Sequence, residues 1–263
     1  MRRLGDLPLM IYGVLVLLFL FLPIAIVVPM SFSAASSLTF PPTEFSLRWY
    51  QSFFQDPRWM EAMRVSLLVA LLSSLLALAL GSVAAYGLVR GTFAGRRLID
   101  ANFMAPMIVP PVITAVALYI VFAWVGLLGT LPGLVIGHML LGVPYVVLIM
   151  SVAIRSFDVR IEQVAFSLGA SWFTMFRRVL LPNLMPSAFA AWIFAFITSF
   201  DEVIVTLFVA GAYQTVPKKM FNELVLQINP TITAIATLLI AFSVCLFVVF
   251  ALLMRRAGLL GPR

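Results

Sequence analysis

Charged side chains are scarce in this sequence. Asp, Glu, Lys and Arg make up 10% of its 263 residues, whereas hydrophobic residues make up 63%. A soluble domain typically carries about 25% charged residues on its surface. Because this chain has less than half of that share, its composition predicts a membrane protein rather than a soluble domain.

Residues that commonly bind metals or act as nucleophiles are nearly missing. The only cysteine is Cys245, and the only histidine is His138. One cysteine excludes an intramolecular disulfide and a cysteine-based zinc site, so Cys245 is expected to be a small apolar filler. His138 lies within a hydrophobic run, where we expect a packed polar residue, with a proton relay as the alternative. No metal site and no catalytic residue is predicted.

A phosphate-binding loop of the GxxxxGK[ST] type is also missing from the sequence. This chain therefore cannot hold ATP by that means. If ATP drives its function, another subunit must hydrolyse the nucleotide.

Long hydrophobic runs dominate what is present. A helix needs about 20 apolar residues to cross roughly 30 Å of hydrocarbon. Six runs satisfy this requirement, at about 8–30, 62–88, 101–124, 132–154, 187–210 and 231–254. They lack two-residue alternation, so we predict helices, which satisfy their own backbone hydrogen bonds in lipid. The predicted fold class is an all-α membrane protein with six transmembrane helices.

The basic residues are distributed unequally between the two sides of this predicted bundle. Twelve fall on the side of the termini: Arg2, Arg3, Arg90, Arg96, Arg97, Arg155, Arg160, Arg177, Arg178, Arg255, Arg256 and Arg263. Five fall on the opposite side: Arg48, Arg58, Arg64, Lys218 and Lys219. The positive-inside rule therefore predicts cytoplasmic termini. The net charge of +7 is explained by topology and needs no nucleic-acid partner.

Prolines and small residues within the runs should shape the bundle. Five prolines are expected to kink helices: Pro23, Pro106, Pro110, Pro111 and Pro144. Four small residues are expected to permit close helix packing: Gly81, Ala84, Ala85 and Gly87.

A polar loop at 155–186 joins the fourth and fifth runs on the predicted cytoplasmic side. It contains two short amphipathic segments separated by a Gly-Ala-Ser turn. Gly169 permits the turn, and Pro182 is expected to end the second segment. Apolar residues at helical spacing predict one buried face: Val164, Leu168, Phe173 and Phe176. We interpret the loop as a docking element for a soluble subunit, with an interfacial loop on the lipid surface as the alternative.

Two adjacent carboxylates, Asp201 and Glu202, lie within the fifth predicted span. A charge at membrane depth costs roughly 2.5–3.5 kcal/mol. On a continuous helix, Asp201 would lie roughly 21 Å from the cytoplasmic entry. The helix would then present a stripe of Ser199, Glu202 and Thr206 beside one of Thr198 and Asp201. Two interpretations remain open: a structural role, by pairing with arginine or capping a helix of a partner subunit, or a cation site in a substrate path.

The cation-site interpretation includes neighbouring aromatic residues, which can contact methylene groups or the cation itself. The predicted substrate-path residues are Asp201, Glu202, Ser199, Phe200, Trp192 and Phe196.

Several motifs resemble those of ABC importer permeases of the spermidine/putrescine type, over nearly the whole chain. The family pattern of the docking loop is Glu-Ala-Ala, three residues, Gly, nine residues, then Ile-x-Leu-Pro. Here Gln163 replaces the glutamate and Glu162 precedes it. Further matching stretches are residues 46–50 (SLRWY), 84–90 (AAYGLVR), Pro106 with Pro110, 199–203 (SFDEV), 216–220 (VPKKM) and 229–232 (NPTI).

The resemblance implies a docking surface for an ATPase on the cytoplasmic loop at 155–186, between the fourth and fifth transmembrane helices. This loop is the coupling-helix loop. Its residues would be Glu162, Gln163, Ala165, Leu168, Gly169, Ala170, Ser171, Leu181 and Pro182. It also implies a homologous second permease, two ATPase subunits and an extracytoplasmic solute-binding protein. ATP and Mg would bind those ATPase subunits, and no cofactor would bind this chain.

The expected function is import of a small organic cation, a polyamine, by alternating access across a bacterial inner membrane. The alternatives are another small solute, such as an opine or an aminophosphonate, or an ATP-independent secondary transporter. The expected organisation is an N-terminal helix and outer loop at 1–60, a permease domain at 61–254 and a cytoplasmic tail at 255–263.

Overall fold

The computed structural model is almost entirely helical. It describes residues 7–226 and 229–256, with side chains for 8–226 and 229–252. The predicted cytoplasmic ends lie largely outside this range, including Arg2, Arg3 and residues 257–263. In the described part, the α-helices are α1 Leu7–Ser31, α2 Arg48–Gln55, α3 Pro57–Arg90, α4 Arg96–Ile108, α5 Pro111–Val125, α6 Leu131–Ser156, α7 Val159–Ser167, α8 Trp172–Met175, α9 Leu181–Phe200, α10 Ile204–Val209, α11 Val216–Leu226 and α12 Thr231–Arg256.

Five helical segments are long and apolar enough to cross a membrane, and a bent pair gives a possible sixth. The five segments within the described residues are Pro8–Ser31, Pro57–Arg90, Leu131–Ser156, Trp172–Phe200 and Thr231–Leu252. The bent pair is α4 with α5. This architecture agrees with the all-α class and with up to six spans predicted from the hydrophobic runs.

The third predicted span is not a continuous helix. α4 and α5 meet at an angle of 107°. The residue before a proline is pushed out of helical geometry, and Val109 accordingly has φ −71° and ψ 131°. Pro110 is also extended, with ψ 134°, and Pro111 starts α5 at a position where a missing N–H costs little. The prolines therefore break the run rather than merely kink it.

Both bounds predicted for the fifth span, 187–210, are wrong. The helical segment begins at Trp172 and ends at Phe200, and the short α10 follows after a break at residues 201–203. The start is earlier because Pro182 does not terminate the second loop segment, contrary to prediction. A π-helical turn, Phe176–Leu180, widens the helix just before Pro182 and carries it into α9.

The chain divides into two compact units, of which the larger comprises residues 61–219 and 246–263. Within this unit, α9 packs most extensively against α6. Small residues allow helices to approach closely, as predicted for Gly81: a Cβ there would lie 2.7 Å from Cγ1 of Val146. Gly87, in contrast, faces open space. The larger unit therefore uses only some of its small residues for packing.

Two apolar clusters form the core of the larger unit. One contains Val65, Val69, Ala115, Leu118, Phe122, Leu134, Val135, Leu141, Val205, Val209 and Ala210. The other contains Ala77, Ala85, Val146, Met150, Ile154, Met175, Leu180, Leu184, Ala188, Ala191 and Ala195. The first cluster fixes α5 and α10 against α6, and the second fixes the helical segments of the 155–186 loop against α6 and α9.

The smaller unit comprises residues 1–60 and 220–245. Its helix α1 is apolar throughout and exposes its side chains, as expected for a helix surrounded by lipid. A hydroxyl pair, Ser31 Oγ and Tyr50 Oη at 2.7 Å, joins the end of α1 to α2. Cys245, predicted to be a small apolar filler, lies on α12 and is exposed.

Candidate functional site

The two acidic residues lie in the break between α9 and α10. α9 ends at Phe200, and the N–H of Asp201 donates to the carbonyl of Ile197 at 3.0 Å. Asp201 is exposed, and Glu202 is half-buried. The continuous helical stripes predicted for this region are therefore wrong, because the helix ends before either carboxylate.

Glu202 caps the start of α10. Its Oε1 accepts a hydrogen bond from the N–H of Val205 at 2.7 Å. A carboxylate at this position satisfies one of the free N–H groups of a helix N-terminus and interacts favourably with the helix dipole. The structural interpretation predicted such a cap in a partner subunit, whereas the structure shows it within the same chain. Of the two carboxylates, Asp201 is the one without a local structural role of this kind.

A buried polar cluster links this break to two other helices. His138 on α6 is 1% exposed; its Nδ1 lies 2.8 Å from Ser199 Oγ and 3.1 Å from the Ser199 carbonyl. Its Nε2 lies 2.8 Å from Thr206 Oγ1, and Ser73 Oγ on α3 donates to Ser199 Oγ at 2.9 Å. The prediction that His138 is a packed polar residue is confirmed. Its contact with Thr206 and the contact of Ser73 with Ser199 were not predicted, because the partners are distant in sequence.

The predicted aromatic residues lie on one face of α9. The ring centroids of Trp192 and Phe196 are 5.8 Å apart, and those of Phe196 and Phe200 are 5.7 Å apart with nearly parallel planes. Phe196 and Phe200 are buried, whereas Trp192 is half-buried. The structure thus brings the three aromatics together on one side of the helix, with Asp201 directly after them.

The polar loop contains one short helix, α7, and the predicted turn, but α8 continues into the long segment Trp172–Phe200 and is not the separate second short helix that we predicted. Asp158 caps α7 by accepting from the N–H of Arg160 at 2.9 Å, and Ser171 caps α8. Gly169 has φ +85°, a left-handed conformation that glycine adopts without steric cost. The turn is closed by a hydrogen bond of 3.0 Å from the N–H of Ala170 to the carbonyl of Ala165. The predicted role of Gly169 in the turn is confirmed.

The apolar side chains of this loop face outward. Val164 is 57% exposed, Leu168 is 83% exposed and Phe173 is 63% exposed. Gln163 and Ser171 are also exposed, and Ala165 and Ala170 are half-buried. Within the described part of the chain, no element covers the Val164, Leu168 and Phe173 surface. Three of the four residues predicted to form a buried face are therefore open in the isolated chain, whereas Phe176 is half-buried and packs against the core.

Glu162 differs from the other predicted docking residues because it points into its own chain. It is 4% exposed, and its Oε1 accepts from Arg90 Nε at 2.9 Å. Tyr86 Oη donates to its Oε2 at 3.1 Å, and Arg90 Nη2 also donates to the Phe157 carbonyl at 2.9 Å. Glu162 therefore fastens the loop to α3 and does not offer its carboxylate to a partner. Arg90 and Tyr86 were missed as site residues, although both belong to the AAYGLVR stretch.

Lys218, in the first turn of α11, binds the backbone of the segment that connects α10 to α11. Its Nζ donates to the carbonyls of Gly211 at 2.9 Å and Tyr213 at 3.0 Å. Lys218 is only 6% exposed, and burial lowers the pKa of its ammonium group. The lysine is thus a structural part of the VPKKM stretch.

Metal binding has no recognisable site in the structure. Among the described residues, no group of three or more His, Cys, Asp or Glu side chains is placed to hold a metal ion.

A helical bundle with two interrupted spans and a kinked loop before the last break defines the class of this chain. It belongs to the family of binding-protein-dependent transport system inner membrane components, whose model matches residues 77–258. This range includes the loop, the break and the cluster residues His138, Ser199 and Thr206, but not Ser73. The chain is therefore a membrane permease component of an ABC importer.

Two relatives from Escherichia coli (strain K12) are similar over most of the chain. The spermidine/putrescine transport system permease protein PotC is 30% identical over 238 residues, which cover 90% of each protein. The putrescine transport system permease protein PotI is 32% identical over 247 residues, covering 90% of this chain and 87% of PotI.

Solved structures show the same fold at low sequence identity. A chain of a bacterial ABC transporter involved in the import of alginate matches with a TM-score of 0.69 and 15% identity, covering 97% of this chain and 98% of that chain. A chain of the MetNI methionine ABC transporter matches with a TM-score of 0.63 and 17% identity, covering 75% and 94%.

Proposed function

We propose that this permease passes a polyamine such as spermidine or putrescine into the cell. The observation that carries the proposal is the similarity to PotC and PotI over 90% of the chain. The exposed carboxylate of Asp201 supports it, because a carboxylate facing a cavity offsets the desolvation of an ammonium group.

The proposed substrate path runs past the break between α9 and α10. Asp201 and Glu202 would attract the ammonium groups, and the half-buried Trp192 would contact a cation or methylene groups. Phe196 and Phe200 are buried, so they would pack behind the residues that line the path and would not contact the substrate. Ser199 would act through its contact with His138 and not by touching the substrate.

The energy source is proposed to be a pair of separate ATPase subunits, which would bind ATP and Mg. The open face of the loop is the docking surface, with Gln163, Leu168, Gly169, Ala170 and Ser171 as accessible residues. Ala165, Leu181 and Pro182 would shape its base. Burying the exposed apolar side chains of this face would stabilise the contact.

A homologous second permease and an extracytoplasmic solute-binding protein would complete the importer. In this assembly both termini, including the tail at 255–263, would lie in the cytoplasm of a bacterial inner-membrane system. Residues 1–60 would form an N-terminal unit attached to the permease domain at 61–254.

The proposal is tested by transport in proteoliposomes that contain the assembled complex and its binding protein. We expect ATP-dependent uptake of labelled putrescine or spermidine. Asp201→Asn should reduce this uptake at least about tenfold, because the amide cannot neutralise an ammonium ion. The control is Glu61→Gln, which changes an exposed carboxylate outside both the path and the docking loop and should preserve uptake.

Uptake at the wild-type rate by both Asp201→Asn and Glu202→Gln would contradict the cation site. ATP-dependent uptake of a neutral or anionic solute in place of polyamines would contradict the substrate class. Uptake without ATP would contradict the ABC mechanism itself.

A further inference from the structure

A break in a membrane-spanning segment leaves backbone groups without helical partners. At membrane depth, such groups must be satisfied by the protein itself or by water in a cavity. At the break between α9 and α10, the Ser199 carbonyl meets His138 Nδ1, and the Glu202 carbonyl accepts from Thr206 Oγ1 at 3.2 Å. Both carbonyls that flank residues 200–201 are therefore connected to the polar cluster.

His138 is the centre of this cluster. Its Nδ1 reaches the end of α9 through Ser199, and its Nε2 reaches α10 through Thr206. A neutral imidazole has one donor and one acceptor nitrogen. Because the Thr206 hydroxyl donates its proton to the Glu202 carbonyl, Nε2 donates to Thr206 Oγ1 and Nδ1 accepts from Ser199 Oγ. The ring therefore spans the break and joins its two ends.

The surroundings hold the histidine ring in place. His138 is 1% exposed, and Ser199 and Thr206 are buried as well. Gly137, next to His138, leaves only 3.3 Å between a hypothetical Cβ and Cγ1 of Val205, so α6 approaches α10 closely here. A fixed ring on a well-packed helix can position the break accurately.

We propose that His138 is a positioning residue that sets the conformation of the α9–α10 break and thereby the direction of Asp201. This inference rests on the proposed function only for the part that concerns substrate. The structural part is that loss of His138 changes the conformation of residues 201–203. The functional part is that the changed conformation lowers transport.

The structural part is tested by thiol labelling, which needs no substrate. Val203→Cys in a Cys245→Ala background places a reporter in the break of the assembled complex. We expect His138→Leu to change the labelling rate by a membrane-impermeant maleimide at least about fivefold, as loss of a buried hydrogen bond would allow. Thr206→Val should act in the same direction and serves as the second variant if His138→Leu does not assemble.

His138→Gln should restore part of the wild-type labelling rate, since an amide retains one donor and one acceptor. The matched control is Ser151→Ala, another buried polar residue of α6 that lies outside the cluster. It should leave the labelling rate unchanged.

The functional part is measured as polyamine transported per ATP hydrolysed, a ratio that does not depend on the amount of folded complex. We expect this ratio to fall at least about fivefold in His138→Leu and Thr206→Val, with partial recovery in His138→Gln. Ser151→Ala should keep the wild-type ratio.

Two sets of results distinguish failure of the positioning role from failure of the proposed substrate site. Unchanged labelling in His138→Leu and Thr206→Val would overturn the positioning role, whatever the transport rate. Changed labelling with an unchanged transport ratio, together with wild-type uptake by Asp201→Asn and Glu202→Gln, would support His138 as the residue that holds the break but overturn the substrate site.

Discussion

Two glutamate–arginine ion pairs in this chain differ in burial and therefore in their expected contribution to stability. Glu162 and Arg90 form a pair whose side chains are 5% and 19% exposed, with 2.7 Å between Oε1 and Nη2. Glu61 and Arg64 form a pair whose side chains are 56% and 73% exposed. Water screens the second pair, so its contribution to stability should be small. The buried pair fastens the loop to α3, and loss of one partner leaves a charge in the interior.

We predict that Glu162→Gln destabilises the folded permease by about 3 kcal/mol, because it leaves Arg90 without its counter-charge. The measurement is the apparent melting temperature of the detergent-solubilised complex. Glu61→Gln is the matched control and should leave the melting temperature unchanged. Equal shifts for the two variants would show that burial does not distinguish the pairs.

Glu202 allows the structural and electrostatic roles of one carboxylate to be separated. Glu202→Ala removes the cap of α10 and should cost about 1 kcal/mol of stability. Glu202→Gln keeps an oxygen that can accept from the Val205 N–H, so its stability should stay near wild type. A thermal unfolding series on the two variants checks this expectation. If both lose the same stability, the contact to Val205 does not stabilise α10.

At the scale of the elements, interruptions determine where side chains are placed. Pro110 and Pro111 split the third span into two helices at 107°. The π-turn Phe176–Leu180 lets the loop continue into α9 past Pro182. The break after Phe200 exposes Asp201. Hydrophobic runs predict that these spans exist, but packing and backbone hydrogen bonding decide where each helix stops.

The packing of α3 against α6 gives a prediction at this scale. Gly81→Ala should destabilise the complex by about 1–3 kcal/mol, because its Cβ would lie 2.7 Å from Val146 and force the helices apart. Gly87→Ala introduces the same methyl group on the same helix into open space and should be neutral or slightly stabilising. Melting temperatures of the two variants test the difference, and a larger loss for Gly87→Ala would contradict it.

At the scale of the whole molecule, the side of the membrane on which each loop lies remains a prediction from the arginine distribution. In a Cys245→Ala background, Leu168→Cys should react with an impermeant maleimide only in inside-out vesicles. Phe45→Cys, in the predicted outer loop and 73% exposed, should react only in right-side-out vesicles. The opposite pattern would invert the topology and place the proposed docking surface outside the cell.

The amino-acid sequence by itself determined the helical membrane class, the approximate spans and the turn at Gly169. Hydrophobic length and glycine backbone freedom are local properties, so they can be recognised without neighbours. Only the tertiary structure decided that Glu162 pairs with Arg90 and that His138 joins Ser199 to Thr206. It also decided that α9, in the fifth predicted span, ends at Phe200. The partners in these contacts are 61 to 72 residues apart. Such contacts exist because helix packing brings distant polar groups together where water cannot satisfy them.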